Sequence, residues 1–220
     1  MHDESSSSAN AKTEFLLHKT EWASPGLLKV FPEDGPSFFV RDIYLPFPAA
    51  RLLEPCASFN GEAFDQLLAG ARIWLAEKTA MAYLARAEHC RRQLEIKLLK
   101  KGYVEQEIVP ALDYLEEKNY LDDSRFCEAW LRNRLLHKAE GSIKLLAGLQ
   151  NRGIDHETAK KAVLAALDGS EEERLCKKAV ERFEKKGKTG AKLVSALNRA
   201  GFSFKIVAKC IKYGENNYYT

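Results

Sequence analysis

The side chains of this 220-residue chain best suited to chemistry are five histidines, five cysteines, one pair of adjacent aspartates and one glycine-lysine-threonine run. A zinc site on a helix needs ligands one turn apart, and His2, His18, His89, His137 and His156 show no such pairing. Cys56, Cys90, Cys127, Cys176 and Cys210 are odd in number, scattered and without a Cys-x-x-Cys, which reads as reduced thiols in a cytosol. His89 and Cys90 are neighbours at an expected helix start and point different ways, which removes the contact a nucleophile and its base require. Asp122 and Asp123 lack a third acidic ligand at a defined spacing, so helix capping explains them better than a metal. Gly187-Lys188-Thr189 has the ending of a phosphate-binding loop, but the glycine required five residues earlier is Arg182 and a helix, not a strand, precedes it. No catalytic centre, cofactor or metal is expected.

The basic residues are the better candidates for function. Residues 1–77 carry 6 basic and 11 acidic side chains, net −5, whereas residues 78–220 carry 28 and 20, net +8. Between Arg174 and Lys212 there are 12 basic residues against 2 acidic ones. Three groups stand out: Arg86, Arg91, Arg92, Lys97, Lys100 and Lys101; then Arg125, Arg132, Arg134, Lys138 and Lys144; then Lys177, Lys178, Lys185, Lys186 and Lys188. Such a footprint suits phosphate or an acidic protein groove, and equally a solvated helix face. Glu128 and Arg132 are spaced for an i, i+4 ion pair.

The elements that must position these residues are mainly helical. Residues 1–12 are rich in serine and alanine and are expected to be disordered; they carry neither the basic nor the apolar region of a signal peptide. No apolar run approaches the eighteen residues of a membrane span. Glu14–Leu17, Leu27–Phe31 and Phe38–Tyr44 are apolar or aromatic runs separated by Ser24-Pro25-Gly26 and by Pro32 to Pro36, so residues 13–60 read as a small antiparallel sheet of about three strands. That sheet is either an accessory contact surface or a packing cap. Helical periodicity then takes over from Glu62 to Arg86, from Arg91 to Lys101 and from Val104, where Pro110 predicts a kink or a late start. Asp122 or Asp123 caps the next helix, whose Phe126 and Trp130 lie four apart; Asp155 and Ser170 are the expected caps of two later ones.

One pattern recurs three times. Leucines lie eight and four residues before Gly102 (Leu94, Leu98), Gly153 (Leu145, Leu149) and Gly201 (Leu193, Leu197). A bulky apolar residue follows each glycine, Tyr103, Ile154 or Phe202, and Leu112, Val163 or Ile211 comes ten residues after it. The intervals are 51 and 48 residues. This is the signature of a helix C-cap inside a repeated three-helix unit, which must stack on neighbours to bury its apolar face. The predicted fold is mainly α: three tandem three-helix repeats (61–119, 120–169 and 170–213) forming an elongated curved array, preceded by a small N-terminal β-sheet, with a frayed tail at 214–220.

Tyr120-Leu121-Asp122-Asp123-Ser124-Arg125-Phe126, with Leu84-Ala85-Arg86 and Lys100-Lys101-Gly102-Tyr103 upstream and Gly201-Phe202-Ser203 downstream, resembles the RecX family, bacterial regulators of the RecA recombinase. The likeness covers about Met81 to Ile211. This chain departs from the usual pattern at Cys127, where alanine is common, at His89-Cys90, where serine is frequent, and at Gly148, where glutamate is frequent. The resemblance implies a protein that lies along RecA–DNA filaments and inhibits recombinase, ATPase and co-protease activity in DNA repair and the SOS response; with no catalytic centre, no obligate oligomer signal and reduced thiols, a non-enzymatic, monomeric, cytoplasmic protein is expected. The basic residues named above would contact RecA or DNA. The alternative is a stand-alone basic helical protein that competes for single-stranded DNA.

Overall fold

The structure is a computed structural model and describes residues 14–215. The expected disorder over 1–12 lies outside the described residues, as does the tail beyond Glu215; Gly214 and Glu215 are part of the last helix. The described residues form two compact units. One holds residues to Ala82 together with Leu98–Glu117, the other Tyr83–Lys97 and the residues from Lys118 onward.

The first unit contains the sheet. Strand β1 (Glu14–Ser24) turns at Pro25-Gly26 into β2 (Leu27–Pro32), and β3 (Phe38–Arg41) pairs with β2; all pairings are antiparallel. A fourth strand, β4 (Ser58–Asn60), pairs with the first residues of β1 and gives the order β3-β2-β1-β4. This strand goes beyond the about three expected, because three residues behind a proline-rich stretch are too few to show alternation. Leu28, Val30, Val40 and Phe59 point to one face and form a core with Leu67 and Ala71 of α1 (Gly61–Leu84). Gly70 permits this close packing: a Cβ there would lie 2.9 Å from the Tyr44 carbonyl oxygen. Buried Glu77 on α1 accepts two 2.6 Å bonds from the Arg41 guanidinium and one from the Tyr44 hydroxyl, so its charge is matched where solvent cannot reach it.

Helix α2 spans Arg91–Lys100 and α3 spans Glu105–Glu117. The expected late start at Pro110 does not occur: α3 begins at Glu105 and runs through the proline. A proline removes one backbone donor, while Glu107 adds a bond at the N-terminus by accepting from the Val104 amide at 3.0 Å.

The second unit continues with α4 (Asp123–His137), α5 (Ser142–Gln150), α6 (His156–Ala166), α7 (Gly169–Glu184), α8 (Gly190–Arg199) and α9 (Phe204–Glu215). Leu145 and Leu149 of α5 and Leu193 and Leu197 of α8 are buried in one core with Phe126, Ile154, Cys176 and Phe202. Gly102, Gly153 and Gly201 have φ of +90°, +90° and +89°. The residue after each donates its amide to the leucine four positions before the glycine: Tyr103 to Leu98, Ile154 to Leu149, Phe202 to Leu197. This is the Schellman C-cap, built on a left-handed glycine, in which an apolar residue folds back over the last turn.

Candidate partner-binding surface

The two aspartates of the central motif do different work. Asp122 caps α4, its Oδ1 accepting from the Ser124 and Arg125 amides at 2.7 and 3.2 Å. Asp123 reaches instead to the start of α2, where it accepts from the Arg91 amide at 2.8 Å. Burial raises the pKa of Asp123 despite that bond. The same device recurs one repeat later, with buried Glu172 on α7 accepting from the Ser142 amide at the start of α5, also at 2.8 Å. A carboxylate from the following repeat thus satisfies an orphan donor of the preceding one. The expected Ser170 cap of α7 is replaced by Asp168, which accepts from the Glu171 amide at 2.8 Å, while the Ser170 hydroxyl donates to Asp168. A carboxylate is the better acceptor at the positive helix end.

Glycines complete this stacking. A Cβ on Gly153 would lie 2.5 Å from Arg92 Cβ, and one on Gly201 would lie 2.3 Å from Lys144 Cβ and 2.4 Å from Lys144 N. The Gly141 and Ile143 amides donate to the Ala200 and Gly201 carbonyls at 2.9 and 3.1 Å. Gly148 leaves room for Trp130, whose ring would lie 2.7 Å from a Cβ there. The absence of a larger side chain at 148 is therefore matched by the indole that fills its place, flanked by the Arg152 and Arg134 guanidinium groups at 4.8 and 5.7 Å.

Several candidate contact residues are engaged within the fold. Arg125 bonds Glu88 at 2.6 Å and the Asn119 and Tyr120 carbonyls at 3.1 and 2.8 Å, tying the central motif together. Arg91 and Arg92 pair with Glu95, and the Lys97 ammonium sits 4.4 Å from the Tyr83 ring centroid. Arg134 bonds buried Glu140 through Nε at 2.5 Å and Nη2 at 3.1 Å. Arg86, Lys178, Lys185 and Lys186 are exposed in the second unit, as is Lys177 on α7, whereas exposed Lys100 and Lys101 belong to the first. Glu128 and Arg132 form no ion pair among the described residues; both line an open groove with Leu135 and Leu136, where solvation of exposed charges competes with pairing.

Lys138, Lys144 and Lys188 converge. They line a cleft of about 260 Å³ with Arg182 and Arg199, so five cations share its walls with a single carboxylate, Glu140. Burial works to raise the Glu140 pKa, but hydrogen bonds from Arg134 and Lys144 hold it below the usual carboxylate value. Glu140 is thus saturated by Arg134 and by Lys144, whose Nζ lies 2.9 Å away. The remaining cations face an open cleft that fits an anionic group. Arg182 and Arg199 were not among the residues singled out from the sequence. Arg199, two positions before Gly201, is the counterpart of Lys100 before Gly102, and the repeat alignment could have found it.

Among the described residues no group of three or more His, Cys, Asp or Glu could hold a metal ion, and no helix is long and apolar enough to cross a membrane. Burial raises the pKa of Cys90 and pushes that of Cys127 up to about 12, the reverse of what a nucleophilic thiol needs.

Comparison with known proteins accords with this architecture. Two family models match, RecX first three-helix domain over residues 76–115 and RecX second three-helix domain over residues 122–163. Regulatory protein RecX of Treponema pallidum is 33% identical over 150 residues, 68% of this chain and 92% of that protein. Regulatory protein RecX of Chlorobaculum tepidum is 30% identical over 60% of this chain and 84% of that protein. A crystal structure of a regulatory protein RecX superposes with a TM-score of 0.72 at 16% identity, covering 90% of this chain and 99% of that one. The tandem three-helix domains and the length of the likeness to the Treponema protein lead to one assignment: the chain belongs to the RecX family of regulatory proteins.

Proposed function

We propose that the chain is a non-enzymatic, monomeric regulator that binds RecA–DNA filaments in the cytoplasm and inhibits their recombinase, ATPase and co-protease activities in DNA repair and the SOS response. The observation that carries this reading is the cleft lined by Lys138, Lys144, Arg182, Lys188 and Arg199, whose one carboxylate, Glu140, is already paired with Arg134 and Lys144. Such a cleft favours an acidic side chain or phosphate on the filament, and occupancy alone then blocks growth and the cycling that ATP hydrolysis requires. The exposed lysines at 178, 185 and 186 and those at 100 and 101 add long-range attraction.

The test is RecA ATP hydrolysis on single-stranded DNA with sub-stoichiometric amounts of this protein. Inhibition well below one copy per RecA is expected, weakened roughly tenfold or more by Lys138→Glu with Arg199→Glu, consistent with a charge pair lost at a binding surface. No effect at micromolar concentration overturns the proposal. The same cleft also suits DNA phosphate alone. In that reading inhibition needs equal or higher amounts, vanishes with added single-stranded DNA, and binding falls log-linearly with salt.

A further inference from the structure

The outer face of the sheet carries a feature separate from the cleft. Side chains alternate between the faces of a strand. Leu28, Val30 and Val40 point to the core, so Lys29 and Phe31 of β2 and Phe39 of β3 point to the other side. Lys19 of β1 stands opposite Phe31, and Glu21 opposite Lys29, which in turn stands opposite Phe39. Trp74 of α1 extends this aromatic row, its ring 5.0 Å from Phe39 and tilted by 30°. Ammonium groups are interleaved with the rings. Lys29 Nζ is 4.7 Å from the Phe31 centroid and 5.8 Å from that of Phe39, Lys19 Nζ is 6.0 Å from Phe31, and Lys78 Nζ is 5.2 Å from Trp74. All three rings are partly exposed. Glu21 is the only acidic residue among these, and it is paired with Lys19 at 2.5 Å.

We propose that this face, formed by Phe31, Phe39 and Trp74 with Lys19, Lys29 and Lys78, binds single-stranded nucleic acid by stacking bases on the rings and pairing phosphates with the lysines. The argument is one of complementarity. A row of rings with positive charges between them matches a chain of bases with negative charges between them. An apolar protein partner would leave the three lysines without a role, and a duplex keeps its base faces hidden from a flat surface. In the free protein the ammonium groups rest over the rings. An exposed cation–π contact is weaker than a base–aromatic stack, so exchanging it for a stacked base and a phosphate contact is favourable. The surrounding unit is acidic overall, which keeps the attraction local to this face.

The experiment uses the full chain, without RecA, and two fluorescein-labelled probes followed by anisotropy: a short oligothymidylate and an abasic strand of equal length and charge. The expected result is binding of the thymidine strand roughly tenfold or more tighter than the abasic one. Phe31→Leu and Phe39→Leu keep apolar volume and fold; each should lose about tenfold for the thymidine strand and leave the abasic strand unchanged. Equal binding of both strands, or leucine variants that bind like the parent, overturns the proposal. Loss confined to Lys138→Glu with Arg199→Glu also overturns it, because binding then belongs to the cleft. If neither strand binds but the leucine variants lose their effect on RecA, the face is a protein contact and the proposal fails while the RecA reading stands.

Discussion

Alanine substitution of four glycines separates backbone strain from packing between repeats. Gly102, Gly153, Gly187 and Gly201 have φ of +90°, +90°, +72° and +89°. A Cβ in this region costs about 1–2 kcal/mol at each. Gly102 and Gly187 have nothing within 4 Å of the added Cβ, so strain is the whole cost there. At Gly153 the Cβ meets the fixed Cβ of Arg92 at 2.5 Å, and at Gly201 it meets Lys144 Cβ at 2.3 Å and backbone N at 2.4 Å. Neither contact is the free end of a flexible side chain, so α2 or α5 must shift, adding about 1–3 kcal/mol of overpacking. Urea unfolding followed by circular dichroism reads the difference. With a slope of about 2 kcal/mol/M, Gly102→Ala and Gly187→Ala should lower the midpoint by about 0.5–1 M and the other two by about 1–2.5 M. Gly187 is the sharper control, because it lies in the same unit as Gly153 and Gly201. Equal shifts at Gly187 and Gly201 would show that the glycines serve their own turns only and would refute the stacking argument.

Other outcomes follow from the same geometry. Asp123→Ala should cost about 0.5–2 kcal/mol by uncapping α2, whereas Asp123→Asn keeps an acceptor and should be near neutral, measured by the same titration. Because the folded pKa of Asp123 is raised, its contribution makes stability fall as pH rises above the normal carboxylate range, and Asp123→Asn should remove that slope. Glu140 has the opposite sign: its depressed pKa contributes stability above the unfolded value that is lost as pH falls through the folded one, so Glu140→Gln should flatten the acid limb of a stability–pH curve. Arg125→Ala should cost about 2–3 kcal/mol, and Arg125→Lys should not restore it, because one ammonium cannot reach a carboxylate and two carbonyls as a planar fork does.

The pattern of local capping was legible because helix ends are decided within a few residues. A glycine with leucines four and eight positions earlier and an apolar residue after it specifies the same turn three times. The short β4 and the cap at Asp168 were missed for the converse reason: three residues show no period, and two acceptors near one helix start compete on geometry that composition does not contain. At the cleft, the sequence pointed to Lys138, Lys144 and Lys188 as basic residues but also to Arg125, which the fold consumes internally. A list of charges cannot distinguish these cases, because the partner of Arg125 is Glu88, 37 positions away.

From its sequence alone, then, this protein's helical repeats, their glycine C-caps and the three strands β1 to β3 could be read, since each is decided by residues close along the chain, and the same local motifs carried the family resemblance. Tertiary structure alone decided that Asp123 serves the helix of the preceding repeat, that Gly201 admits the first turn of α5, that five cations line one cleft with Glu140, and that lysines alternate with rings across three strands. Those arrangements depend on which distant segments pack together, and packing is settled by the summed burial of whole helices and strands rather than by any local motif.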